Sequence, residues 1–165
     1  MRYLDLERSP GYQLWLATNA FQRIVRRTLE PLHLTHVQLV LISAIDMLHR
    51  ESELCGEECY RHIKAPDSDL CVTQSVVARF AGTDENMTSQ VIRSLEQRGL
   101  IERREHPTDA RARCLSLTPS GGELLARAKA LVLPERDRFF APLGPRAADL
   151  ADLLREVVEA HRDEH

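Results

Sequence analysis

Between residues 86 and 97, side chains that can form paired hydrogen bonds with nucleic-acid bases recur at helical spacing. The series at positions i, i+3, i+4, i+7 and i+11 consists of Asn86, Ser89, Gln90, Arg93 and Gln97. Asn and Gln can each form two hydrogen bonds with adenine, and Arg can do so with guanine. Ordinary solvent-exposed helix faces are richer in Lys and Glu, and neither occurs between Asn86 and Arg93. The pattern favours a helix that reads base edges in a major groove, with an unspecialised polar face as the alternative.

A second polar cluster follows, where two short alternating segments flank a turn. Its cationic candidates are Arg103, Arg104, His106, Arg111 and Arg113. A cationic hairpin could bind phosphates or enter a minor groove, although an ordinary charged turn would have the same composition. Asp109, in the turn, could orient one of these arginines through a charge-assisted hydrogen bond.

A third candidate site is the acidic, cysteine-bearing segment of residues 50–72. Its possible ligands, spaced as Cys-x3-Cys-x2-His-x8-Cys, are Cys55, Cys59, His62 and Cys71. Three thiolates and an imidazole could bind zinc in a closed tetrahedral site, although this spacing is not one of the strong zinc signatures. Cys55 and Cys59 could instead form a redox-sensing disulfide after local rearrangement. The third interpretation is ordinary thiols, with Cys71 a small apolar residue and Cys114 packed or facing solvent.

The elements that must position these side chains follow from capping residues and apolar periodicity. The predicted helix starts are Ser9-Pro10, Thr35 with Gln38 as a capping box, Thr73, Thr83 or Asp84, Thr118-Pro119 and Gly144-Pro145. Gly82 and Gly99 are expected to end the third and fourth helices. Strands are predicted at 100–104 and 113–117 around a turn at 107–110. Pro134 is expected to kink or divide the helix that it interrupts.

This order of elements predicts a mainly α-helical chain with a small β-hairpin wing, the winged helix-turn-helix fold. The expected parts are N-terminal helices (1–49), a long insertion loop with room for one helical turn (50–72), the winged helix-turn-helix (73–118) and C-terminal helices (119–165). The apolar faces of the terminal helices exceed what the small winged unit can cover, so they are expected to form a dimerisation region. Two-fold pairing would set two reading helices about 34 Å apart.

Composition restricts the class of protein further. The chain has 165 residues, of which 43% are hydrophobic and 5% aromatic, enough for a helical domain with a core. Its net charge of −3 gives no general support for nucleic-acid binding, which would depend on a local arginine patch. No apolar run reaches the length of a signal peptide or a membrane span. We therefore expect a cytoplasmic protein with reduced cysteines and no membrane partner.

The chain resembles the MarR family of regulators over nearly its whole length, except for residues 50–71. The matching segments are PGYQLW (10–15), LTHVQ (34–38), VTQ (72–74), NMTSQVIRSLEQRGLIER (86–103), HPTDARAR (106–113) and LSLTPSG (115–121). Each segment alone is weak, but their combination and order are specific. One departure is Ala110, which replaces the first Arg of the family's usual Asp-Arg-Arg wing pattern.

The resemblance implies an obligate dimer that binds a pseudo-palindromic operator in double-stranded DNA, usually as a repressor. Release from DNA would follow the binding of a small phenolic or lipophilic effector, or thiol oxidation. By matching position, the residues facing the major groove would be Asn86, Ser89, Gln90 and Arg93. Thr73, Gln74 and Ser75 would support phosphate contacts, and Arg111 and Arg113 would serve the wing.

Two other classes stay open. One is a metal- or redox-sensing regulator that uses Cys55, Cys59, His62 and Cys71. The other is a winged-helix protein-interaction module without DNA binding, which only the acidic net charge supports. An enzyme is not expected, because no nucleophile–base pair or phosphate-binding glycine loop occurs and the histidines are scattered.

Overall fold

The structure is a computed structural model that describes residues 6–60, 71–106 and 111–161. Its regular elements, in chain order, are α1 (Pro10–Leu29), α2 (His36–Tyr60), α3 (Gln74–Ala81), α4 (Glu85–Gln97), β1 (Ile101–Glu105), β2 (Arg113–Leu117), α5 (Pro119–Phe140) and α6 (Arg146–Ala160). Short 3-10 turns occupy Leu6–Arg8, Glu30–Leu32 and Ala141–Leu143. The mainly α-helical fold with one small hairpin confirms the predicted fold class.

The helix starts lie where the capping residues predict them. Thr35 and Gln38 form a reciprocal capping box, with the Thr35 amide donating to Gln38 Oε1 at 3.0 Å and the Gln38 amide donating to Thr35 Oγ1 at 3.2 Å. Thr118 Oγ1 likewise accepts a hydrogen bond of 3.0 Å from the Gly121 amide at the start of α5. These signals could be read locally, because a cap lies within four residues of the amide that it binds.

Two boundaries refine the sequence-based expectations. The segment 50–72 was expected to be a long loop with room for one helical turn, but α2 continues to Tyr60, so its first part is helical beyond that expectation. Pro134 was expected to kink or divide its helix, and it does not divide it, because α5 runs unbroken from Pro119 to Phe140. Proline removes one amide donor from the helix, and α5 tolerates this loss without dividing. Residues 61–70 and the predicted turn at 107–110 lie outside the described ranges.

The hairpin pairs β1 and β2 in antiparallel register from Ile101 opposite Leu117 to Glu105 opposite Arg113. The segment just before α3 also pairs briefly with β2, next to the two strands of the hairpin. Thr73 forms an isolated bridge with Cys114, and the Leu115 amide donates to the Val72 carbonyl at 2.8 Å. The hairpin is therefore joined by its backbone to the beginning of the helix-turn-helix.

The same contact brings two cysteines together. Cys71 and Cys114 form a disulfide, with their Cα atoms 5.0 Å apart. This corrects the expectation that all cysteines are reduced and that Cys114 only packs or faces solvent. The physical reason is the bridge between Thr73 and Cys114, which places the two cysteines within bonding reach.

The hydrophobic core is built around α2. Its buried side chains include Leu41, Ile42, Ile45 and Leu48. They share one cluster with Ile92 and Leu95 of α4, Leu115 of β2 and Leu125 of α5. Because α4 and β2 pack on the same helix, α2 sets the position of the polar helix face relative to the hairpin.

The terminal helices contribute much less to this core. Helix α6 has no buried residue, and large apolar side chains of α1, α5 and α6 are exposed. Within the described ranges, no single helix has the length and apolar character to cross a membrane. The segments Pro10–Leu32 and His36–Arg50 meet those two criteria only when they are taken together, and they are bent by 80° relative to each other.

Candidate nucleic-acid interface

Helix α4 has the two faces that its sequence predicts. Thr88, Ile92 and Leu95 are fully buried and fix the helix to the core. The predicted polar face turns outward: Asn86, Gln90, Arg93 and Gln97 are exposed, and Ser89 is half-buried. The helix therefore presents a row of hydrogen-bonding side chains on the side opposite to its packing surface.

The beginning of α4 is held by Asp84 and by two threonines. The Asp84 carboxylate accepts hydrogen bonds from the amides of Asn86 and Met87, at 2.9 and 3.0 Å. The buried Thr88 hydroxyl lies 2.7 Å from the Asp84 carbonyl oxygen and 2.8 Å from the Thr83 hydroxyl. These bonds satisfy the polar group of Thr88 and close the turn between α3 and α4.

The end of α4 is held by contacts that the sequence pattern did not predict. Arg98 donates from Nη1 to the His33 carbonyl at 2.9 Å. Gln38, already part of the α2 capping box, donates from Nε2 to Ser94 Oγ at 3.4 Å. Both contacts span more than 50 residues of chain, so no local signal could have identified them.

The predicted phosphate-supporting residues Thr73, Gln74 and Ser75 lie together at the N-terminus of α3. The Thr73 hydroxyl caps this helix by accepting from the Val76 amide at 3.4 Å, and it lies 3.0 Å from Ser75 Oγ. Ser75 is exposed, whereas Thr73 and Gln74 are half-buried. The positive end of a helix dipole at this place is compatible with a phosphate contact.

Exposure divides the hairpin arginines into two groups. Arg103 stands opposite the buried Leu115, so its side chain faces the body of the protein. There its Nε lies 2.9 Å from Glu96 Oε2 of α4. This inward direction removes Arg103 from the cationic cluster that the sequence suggested and makes it a link between hairpin and helix.

The exposed arginines of the hairpin lie among carboxylates. Arg104 pairs with Glu102 at 2.7 Å, and Arg113 lies 3.7 Å from Glu105 Oε1. Arg111 is exposed at the distal end of the hairpin, and Asp109 lies outside the described residues. These exposed ion pairs contribute little to stability, so a polyanion with closely spaced charges could displace the carboxylates.

The predicted metal ligands are only partly described. Cys71 is bonded to Cys114 and does not act as a thiolate ligand in this structure. The side chains of Cys55 and Cys59, and all of His62, lie outside the described part of the chain. The described residues hold no cluster of three or more His, Cys, Asp or Glu that could bind a metal ion. The proposed zinc site stays a prediction, and it requires Cys71 to be reduced.

Two helices joined by a tight turn, followed by a two-stranded hairpin, define a winged helix-turn-helix protein. Comparison with known proteins agrees. The MarR family model matches residues 71–112. A relative in Bacillus subtilis (strain 168), the "uncharacterized HTH-type transcriptional regulator YdcH", is 38% identical over 133 residues, covering 81% of this chain and 79% of that protein.

Solved structures share the fold over almost the whole chain. The transcriptional repressor CouR, bound to a 23-mer DNA duplex, superposes with a TM-score of 0.74 at 26% identity, covering 95% of this chain and 97% of CouR. The PcaV regulator from Streptomyces coelicolor, in complex with its natural ligand, gives a TM-score of 0.73 at 22% identity, covering 97% of this chain and 99% of PcaV.

The chain therefore belongs to the MarR family, as its motifs indicated. It is a transcriptional regulator with a DNA-binding winged helix, which confirms the prediction that it is a regulator and not an enzyme.

Proposed function

We propose that this chain is a cytoplasmic, homodimeric repressor that binds a pseudo-palindromic operator and leaves it when a small-molecule effector binds. The observation that carries the proposal is the exposed face of α4, where Asn86, Gln90 and Arg93 stand on a helix held at both ends. A helix fixed in this way presents its side chains to base edges at a constant angle. Little free energy is then lost in ordering it on DNA.

Within this proposal, α4 and the hairpin have different tasks. Arg93, with Asn86, Ser89 and Gln90, reads base edges in the major groove. The wing arginines, Arg104, Arg111 and Arg113, bind phosphates or enter the minor groove. Their positions beside Glu102 and Glu105 imply that DNA phosphates replace carboxylates as partners, which makes binding sensitive to salt.

The terminal helices support a homodimer. On α6, Leu153, Val157 and Val158 are each at least 59% exposed, and no residue of the helix is buried. On α1, Trp15 is 60% exposed and stacks on Tyr12, one turn earlier. An isolated amphipathic helix of this length is marginal in water, so a second copy covering these faces would explain why α6 is stable.

The repressor role and the effector rest on the relatives. CouR, which shares this fold, is a transcriptional repressor solved on a DNA duplex, and PcaV is solved with its natural ligand. A dimer that spaces two α4 helices by about one DNA turn is sensitive to small shifts of the terminal helices. An effector that binds between those helices and the winged unit would act through that spacing.

Selection of duplexes from a random library by the full-length protein tests the proposal. We expect an inverted repeat with half-sites about one helical turn apart. Fluorescence anisotropy on the selected duplex should show affinity that falls steeply as salt is raised from about 50 to about 200 mM. Absence of any preferred duplex at low salt would contradict the proposal and favour a protein-interaction module.

Two substitutions at one position separate base reading from phosphate binding. Arg93→Ala should weaken operator binding about tenfold and relax the preference at one base pair in each half-site. Arg93→Lys retains the charge but loses the paired hydrogen bonds, so it should lose the same preference while its salt dependence stays unchanged. Retention of full sequence preference in Arg93→Lys would show that Arg93 does not read a base.

A further inference from the structure

Met87 differs in its location from the other exposed apolar side chains. It is 37% exposed and lies in the first turn of α4. The other large apolar side chains that are exposed within the described ranges lie on α1, α2, α5 and α6. Met87 is therefore the one large apolar side chain that residues 71–106 and 111–118 expose, and it lies beside the polar face of α4.

Two side-chain contacts hold α4 from opposite sides near its C-terminal end. Glu96 lies 2.9 Å from Arg103 of the hairpin, and Ser94 accepts from Gln38 of α2 at 3.4 Å. Met87 precedes Ser94 by about two turns, so it lies on the same side of the helix, about 10 Å nearer to the N-terminus. The exposed Met87 therefore lies beyond the part of α4 that α2 supports.

The backbone at Met87 is held in a fixed position. Its amide donates to Asp84 Oδ1 at 3.0 Å, and the next residue, Thr88, is fully buried. The Cβ atom of Met87 is thus fixed relative to the core, while the flexible thioether chain can adapt to what it contacts. Gln90, three residues later on the polar face, is its neighbour on the helix surface.

We propose that Met87 recognises thymine, by contact of its side chain with the C5-methyl group of that base in the major groove. This contact rests on the proposed function, since it requires α4 to lie in that groove. The N-terminal residues of a reading helix are those that contact base edges. Among the groups by which base pairs differ in the major groove, the thymine methyl is the apolar one, and the others are hydrogen-bond donors and acceptors. A thioether therefore favours thymine.

The spacing between Met87 and Gln90 predicts where this thymine lies. Side chains three residues apart on a helix are separated by about 5–6 Å at Cβ, whereas successive base pairs are about 3.4 Å apart. The amide of Gln90 is suited to adenine. We expect the thymine in the base pair that Gln90 contacts or in the adjacent one, so that each half-site contains an A·T pair at this place.

The thymine methyl can be removed while base pairing is retained. Duplexes selected with the full-length protein are resynthesised with deoxyuridine in place of thymine, at one position of both half-sites at a time, and affinity is measured by fluorescence anisotropy. At one symmetric position we expect affinity to fall about tenfold, or about threefold for each half-site. Unchanged affinity at every deoxyuridine position would overturn the inference.

Variants at position 87 assign the effect to this side chain. Met87→Ala should bind the thymine and deoxyuridine duplexes equally at that position, whereas Met87→Leu, which keeps an apolar side chain, should still distinguish them. Met47→Ala is the matched control, because Met47 is a 45% exposed methionine on α2, and it should distinguish them as the parent does. Thermal unfolding should be unchanged in all three. If Met87→Ala distinguishes the two duplexes as strongly as the parent does, another residue contacts the methyl and the inference is wrong.

Failure of this inference and failure of the proposed function give different results. Absence of any preferred duplex in the selection would refute the proposed function, and with it the recognition of thymine by Met87. A selected operator whose binding is sensitive to salt, but shows no deoxyuridine effect that depends on position 87, would overturn the thymine contact alone and leave the proposed function intact.

Discussion

Arg98, the residue that follows α4, donates a hydrogen bond of 2.9 Å to the main-chain carbonyl of His33, which closes the turn between α1 and α2. A second donation reaches the Leu32 carbonyl at 3.5 Å. His33 has a φ of 48°, a left-handed conformation that is uncommon for a residue other than glycine. One guanidinium therefore attaches the end of α4 to the turn between α1 and α2.

Arg98→Ala should lower both the stability of the fold and the affinity for DNA. Loss of the contacts with His33 and Leu32 should reduce the free energy of unfolding by about 1–2 kcal/mol in urea denaturation. Affinity should fall without a change in the preferred operator, because Arg98 positions α4 and does not read bases. Arg93→Ala is the matched control: it should leave the stability unchanged and alter the preference. An altered preference in Arg98→Ala would contradict this division.

Gly121→Ala should be strongly destabilising. A Cβ atom at Gly121 would collide with the main-chain carbonyl of Leu100, which is backbone and cannot turn aside. Helix α5 would have to move away from the base of the hairpin, at a loss of about 2–3 kcal/mol in the free energy of unfolding. Gly122→Ala is the control, since no atom lies within 4 Å of its Cβ position and alanine favours the helix. Equal effects at both positions would disprove the close approach.

Asp46→Asn should remove a contribution to stability that depends on pH. Burial alone would raise the pKa of Asp46, but hydrogen bonds from Lys129 and Arg50 outweigh it and hold the pKa below its ordinary value. A carboxylate with a lowered pKa stabilises the fold above its unfolded-state pKa, and this stabilisation is lost as the pH falls through the folded-state pKa.

The expected difference between the parent protein and Asp46→Asn is about 1 kcal/mol near neutral pH, limited by the exposure of Lys129. In urea denaturation it should shrink below about pH 4. Asp137→Asn, which breaks an exposed pair with Arg136, is the control and should have little effect at any pH. A difference for Asp46→Asn that stays constant down to pH 2 would rule out this ion pair as its source.

Val157→Glu should dissociate the proposed dimer. Val157 is 59% exposed on the apolar face of α6, and two charges brought together in a two-fold interface would repel each other. Sedimentation velocity should show a shift to monomer, and operator affinity should fall because each monomer carries one reading helix. Glu159→Lys, on the polar face of the same helix, should stay dimeric. A Val157→Glu protein that remains dimeric would place the interface elsewhere.

Much of this protein was determined by local sequence. Thr35 with Gln38, Thr73 and Thr118 marked the helix starts, and the period of α4 separated the buried Ile92 from the exposed Arg93. Each of these features depends on residues within a few positions of one another, so a single sequence contains the necessary information. The polar composition after residue 50 led to the wrong end for α2. A helix can continue through a polar segment in which no apolar periodicity indicates it.

The tertiary structure decided which of these local elements meet. It turned Arg103 inward onto Glu96, joined Arg98 to His33, and brought Cys71 beside Cys114. The first depends on the register of the strands and the other two on contacts across 65 and 43 residues. Such contacts follow from how α2 packs against the winged unit. They cannot be predicted from the residue pattern of a single segment, because that pattern contains no information about which distant segment it will contact.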